Sequence, residues 1–591
     1  METRSPMVGA HRVGFHSPIP QNCRRVTESP PTETHQPISR RGAFLTLCAI
    51  LLVAAAVRLI GSAPPGLHTD EASNVWNAWC LLNMGVDEHG IEWPIFYTRS
   101  YGDNRSALFL YFMIPFQAVF GLSPYAARLP ATFAGLIAIA LMYFVGRRLF
   151  DSRAIGLVAA GMMALSPWQI YSSRWGHESS LSPMLVLGAV AALLWAGAPL
   201  VNNIARGSVM RAFIAGAICG FACYGYAAVR IFLPVFLLLL VAVTWRKWVE
   251  LLRDSQGRAW FAGIFAGFFV TFAPLVYQHL TDPDISSRGR LTWVWLPDDS
   301  TGTRVAKVAE RYLPHFDPRW LFLHNGDDPT QAMPNGFGVL HWYALPFLLF
   351  GIGVIVWRSR SSSGARIALL GLVVYPAGDL LSGHPGGPNM LRSLPGLPWV
   401  ELIAAVGFVF ALAYLKSRQR SIIASIVVAV ACISTAKFLV RLSHDFRTDR
   451  ARWSVRTMDL AQACEWLKPR LGLYDIVFWT QKDMSFVYAP VMCYLQTPPK
   501  QWFGEIIERS ESLGDRFHGA DIVWTAGKHR FLFTLQYAEP AIQEVTAGGR
   551  RARILYIVRP GESTLEEALK PVHEIFGPDG QVVLRMYDIA L

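Results

Sequence analysis

Charge is scarce in this chain. Only 16% of its 591 residues are Asp, Glu, Lys or Arg, while 52% are hydrophobic, which excludes an ordinary soluble globular protein of this size. The 8 cysteines form no Cys-x-x-Cys pair and no His/Cys cluster at zinc spacing, so neither a disulfide framework nor a structural zinc site is indicated. No internal repeat of solenoid period occurs. Residues 1–41 lack apolar periodicity and read as a disordered cytoplasmic tail. They do not read as a cleaved signal peptide, because the first apolar run starts late and no small-residue cleavage site is clear.

What the chain does have is a series of long apolar runs from Phe44 to Val440. These predict a polytopic α-helical membrane protein of about eleven spans, taking roughly 20 residues per span. The spans are read near 43–60, 124–146, 154–171, 181–197, 212–227, 231–245, 259–277, 339–357, 367–381, 394–415 and 421–441. The formal net charge of +12 does not point to nucleic acid, because Lys and Arg concentrate in short links such as Arg147-Arg148, Arg206 to Arg211 and Arg358 to Arg366. These basic links alternate with links that are not basic, and the alternation holds only if Ala107–Phe120 does not cross. That piece is therefore read as a second surface or re-entrant helix. By the positive-inside rule the N-terminus is cytoplasmic and the C-terminus lies outside.

Residues 42–442 form the membrane domain, with a first outer loop at 61–122, including juxtamembrane helices, and a large outer loop at 278–338. Residues 443–591 alternate helix-like stretches (Arg452 to Leu467, Thr564 to Phe576) with strand-like ones (Tyr474–Thr480, Asp521–Thr525, Arg553–Val558, Val582–Ile589) and predict an extracytoplasmic α/β domain. This tail has no Gly-rich phosphate loop, Ser-His-Asp order or metal motif, and reads as a structural or acceptor-docking cap.

The stretch with the most chemistry is 61–122. It sets the acidic pair Asp70-Glu71 just beyond the first span, ahead of an amphipathic helix pattern with Val75, Trp76, Trp79 and Cys80 on one face and Asn74 and Asn77 off it. Such a helix is expected to lie along the membrane surface. Asp70 can cap that helix, or it can act as a general base, with partial burial raising its pKa toward a useful value. Asp103 lies in the polar link that follows. Arg174, His177 and Glu178 sit in a second outer link. Arg58, Arg128, Arg230 and Arg392 stand at outer span ends, against the positive-inside trend, where cations call for a carboxylate or a lipid phosphate. His384 lies in the glycine-containing loop before Arg392. Asp282-Pro-Asp284 spells a D-x-D whose proline suggests a turn, and His315, His324, Asp327 and Asp328 lack diagnostic metal spacing, so no metal or other cofactor is indicated.

The order of these pieces resembles a family. The acidic pair after the first span, the apolar piece ending Phe120-Gly121-Leu122, Ala127-Arg128-Leu129-Pro130-Ala131, Leu165-Ser166-Pro167-Trp168 and Ser173-Arg174 are similar to the GT-C glycosyltransferases of the protein O-mannosyltransferase and aminoarabinose-transferase type (family-39-like). Tyr312-Leu313-Pro314-His315-Phe316 and Phe576-Gly577-Pro578-Asp579-Gly580 add to the likeness. The resemblance implies a sugar carried on a polyprenyl phosphate and passed to a protein, lipid or glycan acceptor on the outer face of the inner membrane. It implies Asp70 as catalytic base, with Glu71 orienting it or the acceptor, and recurring arginines at Arg128 and Arg174. One departure is that His177-Glu178 stand near the place where many relatives have an Asp. Two rival readings, a transporter and a non-catalytic envelope scaffold, call for mid-membrane polar residues or inverted repeats, and for a freely replaceable Asp70, respectively.

Overall fold

The computed structural model describes residues 38–591, except 61–65, 102, 202–205, 283–284, 286–292, 325–332, 384–386, 481–486, 501–507, 510–521, 527–528, 535–551, 563–567 and 591. Ser39 to Leu591 form one compact unit. The first span is helix α1 (Arg40–Leu59), started by the Ser39 hydroxyl accepting from the Gly42 N–H at 2.9 Å. Helix α2 (Thr69–Met84), a hairpin of β1 (Tyr97–Ser100) and β2 (Asp103–Ser106), and helix α3 (Leu108–Phe120) follow, and lead into the long helix α4 (Pro124–Phe150).

Among the described residues six helices are long and apolar enough to cross a membrane, or up to eight if each of two bent pairs is one span. The other expected spans fall on the shorter apolar helices Val209–Tyr224, Trp342–Arg358 and Ser363–Gly378. The helices pack through small residues. Gly216 and Gly220 on one helix, and Gly263 and Gly267 on another, let the two backbones approach until an added Cβ at Gly216 would overlap the Ile264 carbonyl. Basic links gather at one end of the bundle, where Arg206 pairs with Asp254 at 3.1 Å and Arg366 reaches the Val243 carbonyl at 3.4 Å. Helix α4 runs from Arg128 to Arg147-Arg148, so the acidic loop sits at the other end.

Helix α3 has 13 residues, too few for a span, and buries one face (Phe109, Leu110, Met113) while leaving Val119 and Phe120 exposed. Helix α2 differs from expectation. Instead of lying on a surface it is buried from Glu71 through Ala78, with Trp76 fully enclosed. The reason is tertiary. The helix Tyr488–Leu495 of the C-terminal segment covers it, with Cys493 Sγ 3.5 Å from the Ala72 carbonyl, while Gln117 of α3 donates to the Val75 carbonyl at 2.7 Å. Asn74 and Asn77, off the apolar face in sequence, are buried too.

No break in packing marks residue 443, because the helix Ser417–Thr448 runs straight through it. Beyond it, Met458–Leu467 and Tyr488–Leu495 pack beside a seven-stranded sheet of order β4-β5-β6-β3-β7-β9-β8. Strand β3 (Ile476–Thr480) is parallel to β6 (His529–Thr534) and β7 (Arg553–Val558). The pairs involving β4 (Glu508–Arg509), β5 (Ile522–Ala526), β8 (His573–Phe576) and β9 (Val582–Ala590) are antiparallel. Near-continuous apolar runs in β3 and β7 fit central, doubly covered strands. The helix expected over Thr564–Phe576 is not found at its end. His573–Phe576 is a strand because β9 offers it a pairing edge, and residues 563–567 lie outside those described.

Candidate active site

Helix α2 begins with a cap that frees Asp70 for other work. The cap is His68, whose Nδ1 accepts from the Asp70 N–H at 3.0 Å while its own N–H donates to Glu71 Oε2 at 2.9 Å. Asp70 therefore stands in the first turn, where the helix dipole favours a carboxylate. Its Oδ1 accepts from Arg105 Nη2 at 2.7 Å and its Oδ2 lies 3.8 Å from His177 Nε2, with the side chain 26% exposed. Arg105 reaches it from β2 because that strand folds back along β1 after the turn that Tyr101 opens, with Arg105 opposite Thr98. Tyr101 locks that turn, its hydroxyl donating to the Thr69 carbonyl at 2.8 Å.

The expectation that burial would raise the Asp70 pKa is reversed. Burial does push upward, but the Arg105 guanidinium, with help from His68 and His177, outweighs it and holds the carboxyl well below the usual range. His68 is itself pushed down to about 4, chiefly by burial, so near neutrality it is an uncharged imidazole, and its 3.5 Å approach to Asp70 is not an ion pair. His177 Nδ1 accepts from the Ser179 N–H at 3.1 Å, so a neutral ring carries its proton on Nε2, toward Asp70 and toward Glu178 Oε2 at 3.6 Å.

Arg105 is a buried cation with work left over. It is 8% exposed, its face lies 5.4 Å from the Tyr101 ring, and among the described residues its Nε and Nη1 have no hydrogen-bond partner. Arg230 stands near Glu178, which Asn74 contacts at 3.4 Å. Arg230 Nη2 donates to Ser106 at the end of β2 at 2.6 Å. Arg392 hydrogen-bonds the Tyr226 hydroxyl, and Tyr226 in turn packs edge-on against His177 with ring centroids 5.6 Å apart. Among the described residues Arg392 Nη1 has no partner. One partly exposed carboxylate thus stands against the Arg105 guanidinium, with Arg392 linked to the group through Tyr226 and His177, and both arginines keep N–H groups without a hydrogen-bond partner among the described residues. That arrangement can hold an anion beside a proton acceptor.

This chain is similar to curated proteins and to solved structures. Over 244 residues it is 24% identical to undecaprenyl phosphate-alpha-4-amino-4-deoxy-L-arabinose arabinosyl transferase 2 of Proteus mirabilis, a match covering 41% of this chain and 36% of that protein. Over 264 residues it is 25% identical to undecaprenyl phosphate-alpha-4-amino-4-deoxy-L-arabinose arabinosyl transferase of Edwardsiella ictaluri, covering 44% and 42%. The chain thus spans roughly two-fifths of the length of the curated relatives it matches. No protein-family model matches. The crystal structure of ArnT from Cupriavidus metallidurans in the apo state superposes with a TM-score of 0.53 at 13% identity, over 92% of this chain and 98% of that one. The chain has the GT-C fold.

Within this GT-C fold the residues singled out in the sequence take different places. Glu71 is fully buried and accepts five hydrogen bonds, from His68 N, Arg128 Nε and Nη2, Gly176 N and Arg456 Nη1, all between 2.8 and 2.9 Å. Burial alone would raise it, and Arg128 and Arg456 instead hold it well below the carboxylate range. With both oxygens occupied it orients the loop rather than a ligand. Arg128 is held by Glu71 and by the Gly66 carbonyl at 2.6 Å, and Arg174 closes the end of α1 by donating to the Val57 and Ile60 carbonyls at 2.8 and 3.3 Å. Arg58, 4% exposed, reaches the Ala54 and Ala164 carbonyls at 2.9 and 3.0 Å and makes no hydrogen bond to the Asp70 group. Of the two partners expected for an outer-end arginine, a carboxylate or a lipid phosphate, Arg128 has the carboxylate, while Arg58 and Arg174 hold backbone carbonyls.

The Asp103 side chain and His384 lie outside the described residues, as do Asp284, Asp327 and Asp328. Asp282 accepts from the Tyr97 hydroxyl at 2.6 Å. Among the described residues no group of three or more His, Cys, Asp and Glu could hold a metal ion. Sequence reasoning missed Arg105 and Tyr226. For Arg105 the turn residues Gly102-Asp103-Asn104 were a usable hairpin signal; for Tyr226 there was none.

The hairpin is anchored from behind by Asp87 and Glu88. Asp87 Oδ2 accepts from Thr98 Oγ1 at 3.0 Å, and Glu88 Oε1 accepts from the Tyr488 hydroxyl at 2.9 Å. Burial pushes the Glu88 carboxyl up to about 7, against hydrogen bonds from Tyr488, Ser100 and Asn77. The folded protein therefore keeps a proton there that the unfolded chain has already released. Stability falls as pH rises from about 4.5 to about 7 and is level above. Glu88→Gln should remove that slope and raise the melting temperature at pH 8 by ~2–4 °C, with little change at pH 4.5. Melting curves of the purified protein across that range check this; parallel curves for wild type and variant would refute it.

Proposed function

We propose that this protein is a membrane glycosyltransferase that moves a sugar from a polyprenyl-phosphate donor to an acceptor, with Asp70 as general base. The observation that carries the reading is the Asp70–Arg105 pair, in which a proton acceptor and an incompletely satisfied phosphate-type donor share one partly exposed site. The curated relatives named for undecaprenyl-phosphate-linked aminoarabinose support the donor class.

In the proposed step the acceptor hydroxyl or amine gives its proton to Asp70 as its oxygen or nitrogen bonds to the anomeric carbon. The bond from that carbon to the phosphate oxygen breaks, and the electron pair leaves with the lipid phosphate. Attack opposite the leaving group inverts the anomeric centre. The leaving phosphate is already a stable anion and calls for charge stabilisation more than for an acid, which guanidinium donors supply. Arg105 also couples the two halves of the step. As charge grows on the phosphate, Arg105 is drawn to it and relaxes its hold on Asp70, whose basicity rises as the proton arrives. A low resting pKa is then compatible with a base.

The topology follows from charge. Basic links at the far end of the bundle support, by the positive-inside rule, a topology with the Asp70 end and the C-terminal domain on the periplasmic face of an inner membrane and the N-terminus cytoplasmic. The test is a panel of undecaprenyl-phosphate sugars, led by the 4-amino-4-deoxy-L-arabinose form, incubated with purified protein and candidate lipid, protein and glycan acceptors. Consumption of one donor with release of undecaprenyl phosphate supports the reading. If every donor stays intact while undecaprenyl phosphate fails to bind, the reading is wrong.

A further inference from the structure

The C-terminal segment reaches the buried side of the acidic pair through Arg456. Arg456 is 3% exposed and its Nη1 donates to Glu71 Oε2 at 2.9 Å. Arg128 already meets both oxygens of that carboxylate, so Arg456 is a second buried cation on one anion. Burying an extra charge costs desolvation that its contacts must offset. The guanidinium carbon lies 5.3 Å from the Trp175 ring centroid and 4.9 Å from that of Phe446. Trp175 packs edge-on against His68, centroids 4.9 Å apart, and at a tilt against His177 at 5.1 Å, the two imidazoles that flank Asp70.

The backbone beside Arg456 is fitted to the same loop. Thr457 stands in the left-handed region at φ 48°, and its hydroxyl donates to the Leu67 carbonyl at 2.7 Å. Gly66 faces the Arg456 carbonyl oxygen so closely that any Cβ there would overlap it. One residue of the C-terminal segment therefore touches the loop before Asp70, the carboxylate after it, and the tryptophan between its two histidines.

We infer that Arg456 is a positioning residue, by which the C-terminal segment completes the active site and fixes Asp70 against its donor and acceptor. This rests on the reading of Asp70 as base. A side chain that acts through geometry should change turnover more than binding, since a displacement of about 1 Å can cost ~10²-fold in rate.

The experiment uses the full-length protein in proteoliposomes. Arg456→Ala is expected to lower kcat ~10–100-fold while undecaprenyl phosphate affinity stays within about twofold, and added guanidinium ion should restore part of the rate. Arg456→Lys keeps the charge without the fork and should lie between, and it serves as the informative variant if the alanine protein does not fold. Wild-type kcat in a well-folded variant would overturn the inference. So would a parallel loss of turnover and undecaprenyl phosphate binding that guanidinium does not relieve. Asp70→Asn, run alongside, separates the two levels: if it transfers at the wild-type rate the base assignment fails, and if it is inactive while Arg456→Ala is normal only the role of Arg456 fails.

Discussion

Asp70→Asn is expected to lower transfer by about 10²–10⁴-fold, the range associated with a positioned general base, while the protein still inserts and elutes as wild type. The structure makes this a clean substitution. Asparagine is close in shape, and its carbonyl can still accept from Arg105 Nη2, 2.7 Å away in the native pair. Helix α2 keeps its start, because the cap is His68 and not Asp70. What disappears is the negative charge and the proton acceptor. Single-turnover transfer with saturating donor reads the chemical step directly. A rate within threefold of wild type would remove Asp70 from the mechanism.

Arg105→Met should cost ~10²–10³-fold in kcat/KM, comparable to losing an anion-stabilising donor in other active sites. Two effects combine. The leaving phosphate loses a cation whose Nε and Nη1 have no hydrogen-bond partner among the described residues. Asp70 also loses the guanidinium that does most to hold its carboxyl down. Activity on this reading needs Asp70 ionised, so the acid limb of the pH–rate profile should move to higher pH in the variant. An unchanged acid limb with weakened donor binding would keep Arg105 at the phosphate and deny its link to the base. An unchanged kcat/KM would deny both. Arg105→Lys should recover the charge but not the fork geometry, and lie between.

Much of the frame was legible in the residues. Apolar runs near the length of a bilayer crossing, and basic links in alternation, are one-dimensional signals, and each expected span coincides with a helix. So is an acidic pair just beyond the first span. Central strands such as β7 announce themselves by continuous apolar runs, and Arg553–Val558 has the bounds expected of it. The short β8 carries no such run, and the sheet edge beside it decided its state.

The sequence by itself determined that Asp70 and Glu71 follow the first span together, and it set Arg58, Arg128, Arg230 and Arg392 at expected outer span ends. Only the tertiary structure decided that the neighbours divide the work, Glu71 sealed under two arginines and Asp70 left partly open beside a third. The physical reason is that a carboxylate's role depends on which donors surround it, and those donors come from residues 35 to 385 positions away. No local pattern reports a contact of that range. Helix α2 shows the same limit, since Asn74 on its polar-looking face meets Gly176 and Glu178 just over 100 residues later, and Ala72 meets Cys493 421 residues later.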